Sequence, residues 1–192
     1  MLEIKNLRVT YEPGAHAVYA VDDVSFNVEK GESIGIMGES GCGKSTLAAA
    51  VMGVARHAAI SGEIRFDGLN LLSMSRKERK AVQWKKIAMV FQNVLEVFNP
   101  VLTIGEQIAE PVRRHCGLSK KDARGRAGRC LEQTGLDSKW LAAYPHQLSG
   151  GMRQRALIAM AISCDPEFLI IDEPTTSLDP ESSSSVLELI RS

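Results

Sequence analysis

The 192-residue chain is poor in aromatic side chains, which make up 5% of it, so aliphatic residues and alanine have to fill its core. It has four cysteines, Cys42, Cys116, Cys130 and Cys164, and they are scattered. No C-x-x-C pair and no histidine at ligand spacing accompanies them, which excludes a zinc framework and leaves reduced thiols. There is no surplus of charge: 23 Lys and Arg face 23 Asp and Glu. That balance argues against a polybasic nucleic-acid module, although it is compatible with a local basic patch. No apolar run is long enough to cross a bilayer as a helix. The opening Met1-Leu2-Glu3-Ile4-Lys5 lacks the basic-then-apolar profile of a secretion signal. What remains is the composition of an ordinary globular protein, 44% hydrophobic and 24% charged. The length suits one domain with a small inserted subdomain.

The first third reads as strands. Leu2 to Val9 and Val21 to Val28 alternate apolar with polar residues, as half-buried strands do, and Glu12-Pro13-Gly14 marks a turn between them. Lys30-Gly31-Glu32 is a second turn. It leads into Ser33-Ile34-Gly35-Ile36-Met37, a short run expected to be a strand buried on both faces. Thr46 to Met52 has the leucine and alanine content of a helix, and Ser61 to Gly68 is a bounded strand. A charged helix is expected from Arg76 to Lys86, then a strand at Ile87 to Phe91. From Ile104 to about Ser163 the pattern is helical, with Ile104, Ile108 and Val112 on one face and Ala127, Cys130, Leu131 and Thr134 on another. Ser149 is the expected N-cap of a helix reaching Ile162. Phe168 to Ile171 is a further buried strand, and Pro180 to Ser192 opens a helix. The layout is an α/β core over about 1–91 and 165–192, interrupted by a helical segment over about 92–164.

Chemistry enters with Gly38-Glu39-Ser40-Gly41-Cys42-Gly43-Lys44-Ser45-Thr46, which fits G-x-x-x-x-G-K-[ST] between a strand and a helix. Glycines let successive backbone N–H groups turn inward toward an anion, and the helix N-terminus adds its positive dipole end. In such a loop Lys44 reaches the β- and γ-phosphates of a nucleoside triphosphate and the Ser45 hydroxyl ligates Mg²⁺. A second motif, Phe168 to Glu173, is an apolar strand ending in two carboxylates. Asp172 is expected to hold Mg²⁺ directly or through water, and Glu173 to orient or deprotonate an attacking water.

Leu148-Ser149-Gly150-Gly151-Met152-Arg153-Gln154-Arg155 resembles the signature motif of ABC-type ATPases. The resemblance covers essentially the whole chain, with its motifs in the family's order. It implies a P-loop NTPase core of class α/β with a mostly parallel sheet, an N-terminal antiparallel β subdomain and an inserted α-helical signature subdomain. Gln92 stands where the family has a glutamine that contacts Mg²⁺ and water. Thr175-Thr176-Ser177-Leu178-Asp179 resembles the loop that contacts a partner subunit, with Asp179 at the nucleotide. Tyr11 matches the aromatic residue that stacks on adenine, with Tyr19 as the alternative. Phe98 to Ile108 and Tyr144-Pro145-His146-Gln147 resemble the peptide/nickel importers.

The resemblance further implies an ATPase that energises a membrane importer for peptides, nickel or a related solute, with ATP and Mg²⁺ as cofactors. Two copies, identical or paralogous, would pair head to tail, with Ser149, Gly150 and Gly151 of one capping the γ-phosphate held by the other. Permease subunits would dock near Gln92 to Gln107, an extracytoplasmic solute-binding protein would act indirectly, and nucleic acid would not be a partner. The expected place is the cytoplasmic face of the membrane. Two other readings are a soluble ABC ATPase working on nucleic acid or ribosomes, and a nucleotide-dependent dimerisation module without turnover. Met152 replaces the commoner glutamine of the signature. Val94 to Val97 is unusually apolar and is either a docking surface or packed. The family's switch histidine would follow Glu173, whereas His16, His57, His115 and His146 all precede it. A native chain continuing past Ser192 is therefore expected, with the present one better at binding nucleotide than at hydrolysing it.

Overall fold

The computed structural model describes residues 1–12, 17–92, 97–175 and 180–191. Its contacts divide the chain into two compact units, Met1–Lys80 and Ala81–Ser192.

The first unit is built on an antiparallel sheet of order β2-β1-β3-β4, with β1 Leu2–Tyr11, β2 Val18–Val28, β3 Ala58–Phe66 and β4 Leu69–Asn70. The alternation in β1 changes phase halfway: Leu2 and Ile4 are buried, then Leu7 and Val9. The change falls at a bulge where Asn6 takes a φ of 46° and the register with β3 shifts between Lys5 and Arg8. An extra residue on one strand swaps which parity faces the core, so one strand can bury both halves of its apolar pattern. Helix α1, Lys44–Met52, packs Leu47, Ala50 and Val51 inward and contacts β1 and β2. Helix α2 is Arg76–Val82, shorter than its charge pattern suggested, because Gln83 to Lys86 turns into the next strand. Arg79 ties α2 back by donating to the carbonyls of Gly53 and Leu71, each at 3.1 Å.

The buried strand expected after the second turn does not form. Ser33 to Met37 is not a ladder strand and is exposed, with Ile34 at 44%, Ile36 at 50% and Met37 at 94% of their full surface. A parallel strand needs a hydrogen-bonded neighbour, and among the described residues parallel pairing within a sheet is confined to the two strands of the second unit.

That second unit pairs β5, Ile87–Val90, with β6, Phe168–Ile171, in parallel. Between them run α3 Ile104–Cys116, α4 Lys120–Gln133, two 3₁₀ turns at Ser138–Ala142 and Pro145–Gln147, and α5 Gly150–Ile162. Helix α6, Pro180–Arg191, follows β6. Ile104, Ile108, Val112, Ala127 and Leu131 are fully buried in one cluster with Leu157 and Val186. These are the faces the helical spacing predicted. Local signals start and stop the helices. Thr103 forms a capping box with Glu106, whose carboxyl is held below its ordinary pKa by the Thr103 backbone N–H and hydroxyl. Gly117 ends α3 in the left-handed region, and Ser119 caps α4 by accepting from the Asp122 N–H.

Candidate functional site

The candidate residues fall into three groups. The first is the glycine loop of the Met1–Lys80 unit, which runs into α1 at Lys44 as the motif requires. Gly43 sits immediately before the helix with φ 99°, and a Cβ there would lie 2.0 Å from the Ala20 carbonyl oxygen of β2. Only glycine lets the loop press this closely against the sheet. The contact sets the loop against Ala20 and Val21 of β2; the preceding Tyr19 pairs with Thr10, while Tyr11 pairs with Val18. Both aromatic candidates thus lie at the loop's end of the sheet, Tyr19 exposed and Tyr11 half-buried. Lys44 curls back over the loop, its Nζ donating to the carbonyls of Gly38 and Glu39 at 2.9 Å each and approaching Cys42 Sγ at 3.9 Å. Ser45 and Thr46 continue the first turn, which contains no acidic residue and has no side-chain cap. A helix N-terminus in this condition offers N–H donors and a positive dipole end to an anion. The residues present therefore fit a phosphate group.

The second group lies at the C-terminal ends of β5 and β6. The parallel register sets Val90 beside Ile171, and the Asp172 N–H donates to the Val90 carbonyl at 3.0 Å. Two residues past each partner stand Gln92 and Glu173, and the Gln92 Nε2 donates to Glu173 Oε2 at 2.7 Å. Register alone joins groups so far apart in sequence. Asp172 is 9% exposed, and Glu173 holds a φ of 43°. A non-glycine residue kept in the left-handed region is a cost the surrounding structure has to bear, and such residues concentrate at functional positions. A buried and a half-buried carboxylate at one strand end, with an amide donor against the latter, form a hard oxygen donor set suited to Mg²⁺.

The third group opens α5. Ser149 is its N-cap, with Oγ accepting from the Met152 N–H at 3.3 Å. Ser149 and Gly150 are exposed, Gly151 is buried, and Met152 packs against the helical core. Asp179, together with Thr176 to Leu178, lies outside the described residues, as do His16 and Val94 to Glu96.

Two side chains whose roles residue type alone does not mark hold turns in shape, one before α3 and one before α5. Buried Gln107 accepts from the Asn99 N–H at 2.7 Å and donates to the carbonyls of Asn99 and Leu102, both at 3.0 Å. Arg153 braces the turn before α5. A polar residue at a core position of α3 was the available signal for Gln107; Arg153 carried none beyond its place in the signature.

The fold and these groups define a P-loop nucleotide-binding cassette. The sequence matches the ABC transporter family over residues 21–176, and the chain belongs to that family. It is 44% identical to the dipeptide transport ATP-binding protein DppD of Lactococcus lactis subsp. cremoris, over 99% of this chain and 56% of that protein. It is 40% identical to the oligopeptide transport ATP-binding protein AppD of Bacillus subtilis, over 100% of this chain and 60% of that protein. The chain thus spans less than two-thirds of these curated relatives. Among solved structures, a dimeric post-hydrolysis state of the ATP-binding cassette MJ0796 bound to ADP and Pi superposes with a TM-score of 0.89. Its identity is 31%, covering 100% of this chain and 82% of that one.

Proposed function

We propose that this chain is the nucleotide-binding part of an ATP-hydrolysing subunit that energises a membrane importer, most closely of the peptide class. The observation that carries the reading is the glycine loop closed by Lys44 at the start of an uncapped helix. The relatives named for dipeptide and oligopeptide transport support the substrate class. No helix among the described residues is long and apolar enough to cross a membrane. Permease subunits would hold it at the cytoplasmic face, with an extracytoplasmic solute-binding protein acting through them.

In this reading, the loop N–H groups of Gly38 to Thr46 and the Lys44 ammonium bind the terminal phosphates of ATP, and Tyr11 or Tyr19 stacks on the base. Ser45, Gln92 and Asp172 would hold Mg²⁺, which when bound neutralises charge on the phosphates. Glu173, kept in place by Gln92, takes a proton from the water it orients. Ser149, Gly150 and Gly151 present a second helix N-terminus to the γ-phosphate bound by another copy, and Asp179 belongs to the same interface. The dimeric cassette among the structural neighbours supports this pairing.

The test is Lys44→Ala. A charged hydrogen-bond donor to phosphate contributes about 1.5–3 kcal/mol, so a fluorescent ATP analogue should bind ten- to a hundredfold more weakly. Native affinity in that titration rejects the loop as the nucleotide site.

A further inference from the structure

The structure assigns Arg153 a positioning role: its guanidinium fixes the peptide between Leu148 and Ser149, and with it the direction in which the start of α5 offers its donors. The assignment rests on the reading that Ser149 to Gly151 meet a phosphate held by a second copy.

Arg153 Nε donates to two backbone carbonyls at once, Pro145 O at 2.9 Å and Leu148 O at 3.0 Å. These carbonyls bracket the 3₁₀ turn Pro145–Gln147, and Pro145 O also accepts from the Leu148 N–H at 3.2 Å. The turn is closed on its other side by the Tyr144 N–H donating to Gln147 Oε1 at 2.8 Å. A trans peptide unit is planar, so its carbonyl and its N–H point in opposite directions. Drawing the Leu148 carbonyl toward Arg153 therefore turns the Ser149 N–H away from it; Ser149 and Gly150 are themselves exposed. The N–H groups of Gly150 and Gly151 follow as the first two residues of the helix, which the helix itself cannot satisfy. Without the guanidinium the Leu148 carbonyl loses the donor that holds it, and this peptide can flip by rotation about the two bonds beside it, on Leu148 and Ser149. Arg153 touches no substrate in this scheme; it holds the groups that do.

The experiment compares native protein with Arg153→Met and Arg153→Lys. Three measurements are made: monomer affinity for a fluorescent ATP analogue, dimer formation by light scattering with Mg²⁺ and a non-hydrolysable ATP analogue, and amide hydrogen exchange over residues 144–152. Arg153→Met should keep native monomer affinity, need about tenfold more analogue for half-maximal dimer, and exchange faster within 144–152 alone. Arg153→Lys keeps a charge but loses the fixed Nε–H that the two carbonyls share, and should fall between, at about threefold. A purely structural residue would lower the melting temperature without separating monomer affinity from dimer midpoint. An unchanged midpoint or unchanged exchange in Arg153→Met overturns the assignment. Should that variant not fold, native values for Arg153→Lys in both measurements overturn it. Gly151→Asp, run beside them, separates the two layers of the argument. Native dimerisation of Gly151→Asp rejects the phosphate-capping reading itself. Its loss, alongside native behaviour of Arg153→Met, rejects only the role of Arg153.

Discussion

The two units solve the same problem, holding polar groups still, by different means. In Met1–Lys80 the candidate groups are largely backbone N–H donors on an exposed loop, and their direction comes from left-handed glycines and one close approach to β2. In Ala81–Ser192 the groups at the ends of β5 and β6 are side chains, Gln92, Asp172 and Glu173, aimed by strand register and backed by a dense aliphatic cluster. A backbone cradle is sensitive to an added methyl group and, Lys44 apart, tolerant of side-chain chemistry. A side-chain site has the opposite sensitivities.

Substitutions can sharpen or break that contrast. The largest expected effect is that of Glu173→Gln, which keeps size and hydrogen bonding but cannot accept the proton. ATP turnover should fall by about 10²–10⁴-fold with nucleotide affinity retained, and native turnover in a phosphate-release assay removes Glu173 from the reaction. Next comes Ile108→Ala, which opens a cavity in the helical cluster. It should cost about 2–5 kcal/mol in urea unfolding, with no change in nucleotide affinity. Gly43→Ala should show the reverse pattern, a strain cost of about 1–3 kcal/mol together with loss of nucleotide binding. If Ile108→Ala weakens the nucleotide and Gly43→Ala does not, the division between the units is wrong. The smallest effect is that of Thr103→Ala, which removes a capping box and should cost about 1 kcal/mol without altering activity.

The contrast also explains which features could be read from sequence. Helix α5 was legible to the residue, because Ser149 before a glycine pair and a long alanine-rich run is a local signal. The buried faces of α3 and α4 followed from spacing alone, since a helix buries one stripe whatever it packs on. The antiparallel strands were found but begin earlier than expected, at Val18 and Ala58, because ladder bonds to β1 carry them past the end of apolar alternation. The strand expected at Ser33 to Met37 failed for the same reason in reverse: an apolar run specifies burial only if something pairs with it. At the candidate site, residue types and their order were legible. The hydrogen bond between Gln92 and Glu173 was not, since it depends on the register of two strands far apart in the chain. The carbonyl contacts of Gln107 and Arg153 escaped notice because backbone acceptors leave no trace in residue identity.

The pairing of Ile87 with Phe168 has a consequence for how the molecule is made. A ribosome delivers β5 long before β6, and the strand must wait, without its ladder partner, while every helical segment between them is synthesised. The acid–amide pair can close only when the last of these has emerged, so a nascent chain carries the proposed phosphate cradle well before it carries the group proposed to use it. Hydrolytic competence would then arrive late in synthesis, and a stalled fragment could hold nucleotide without consuming it.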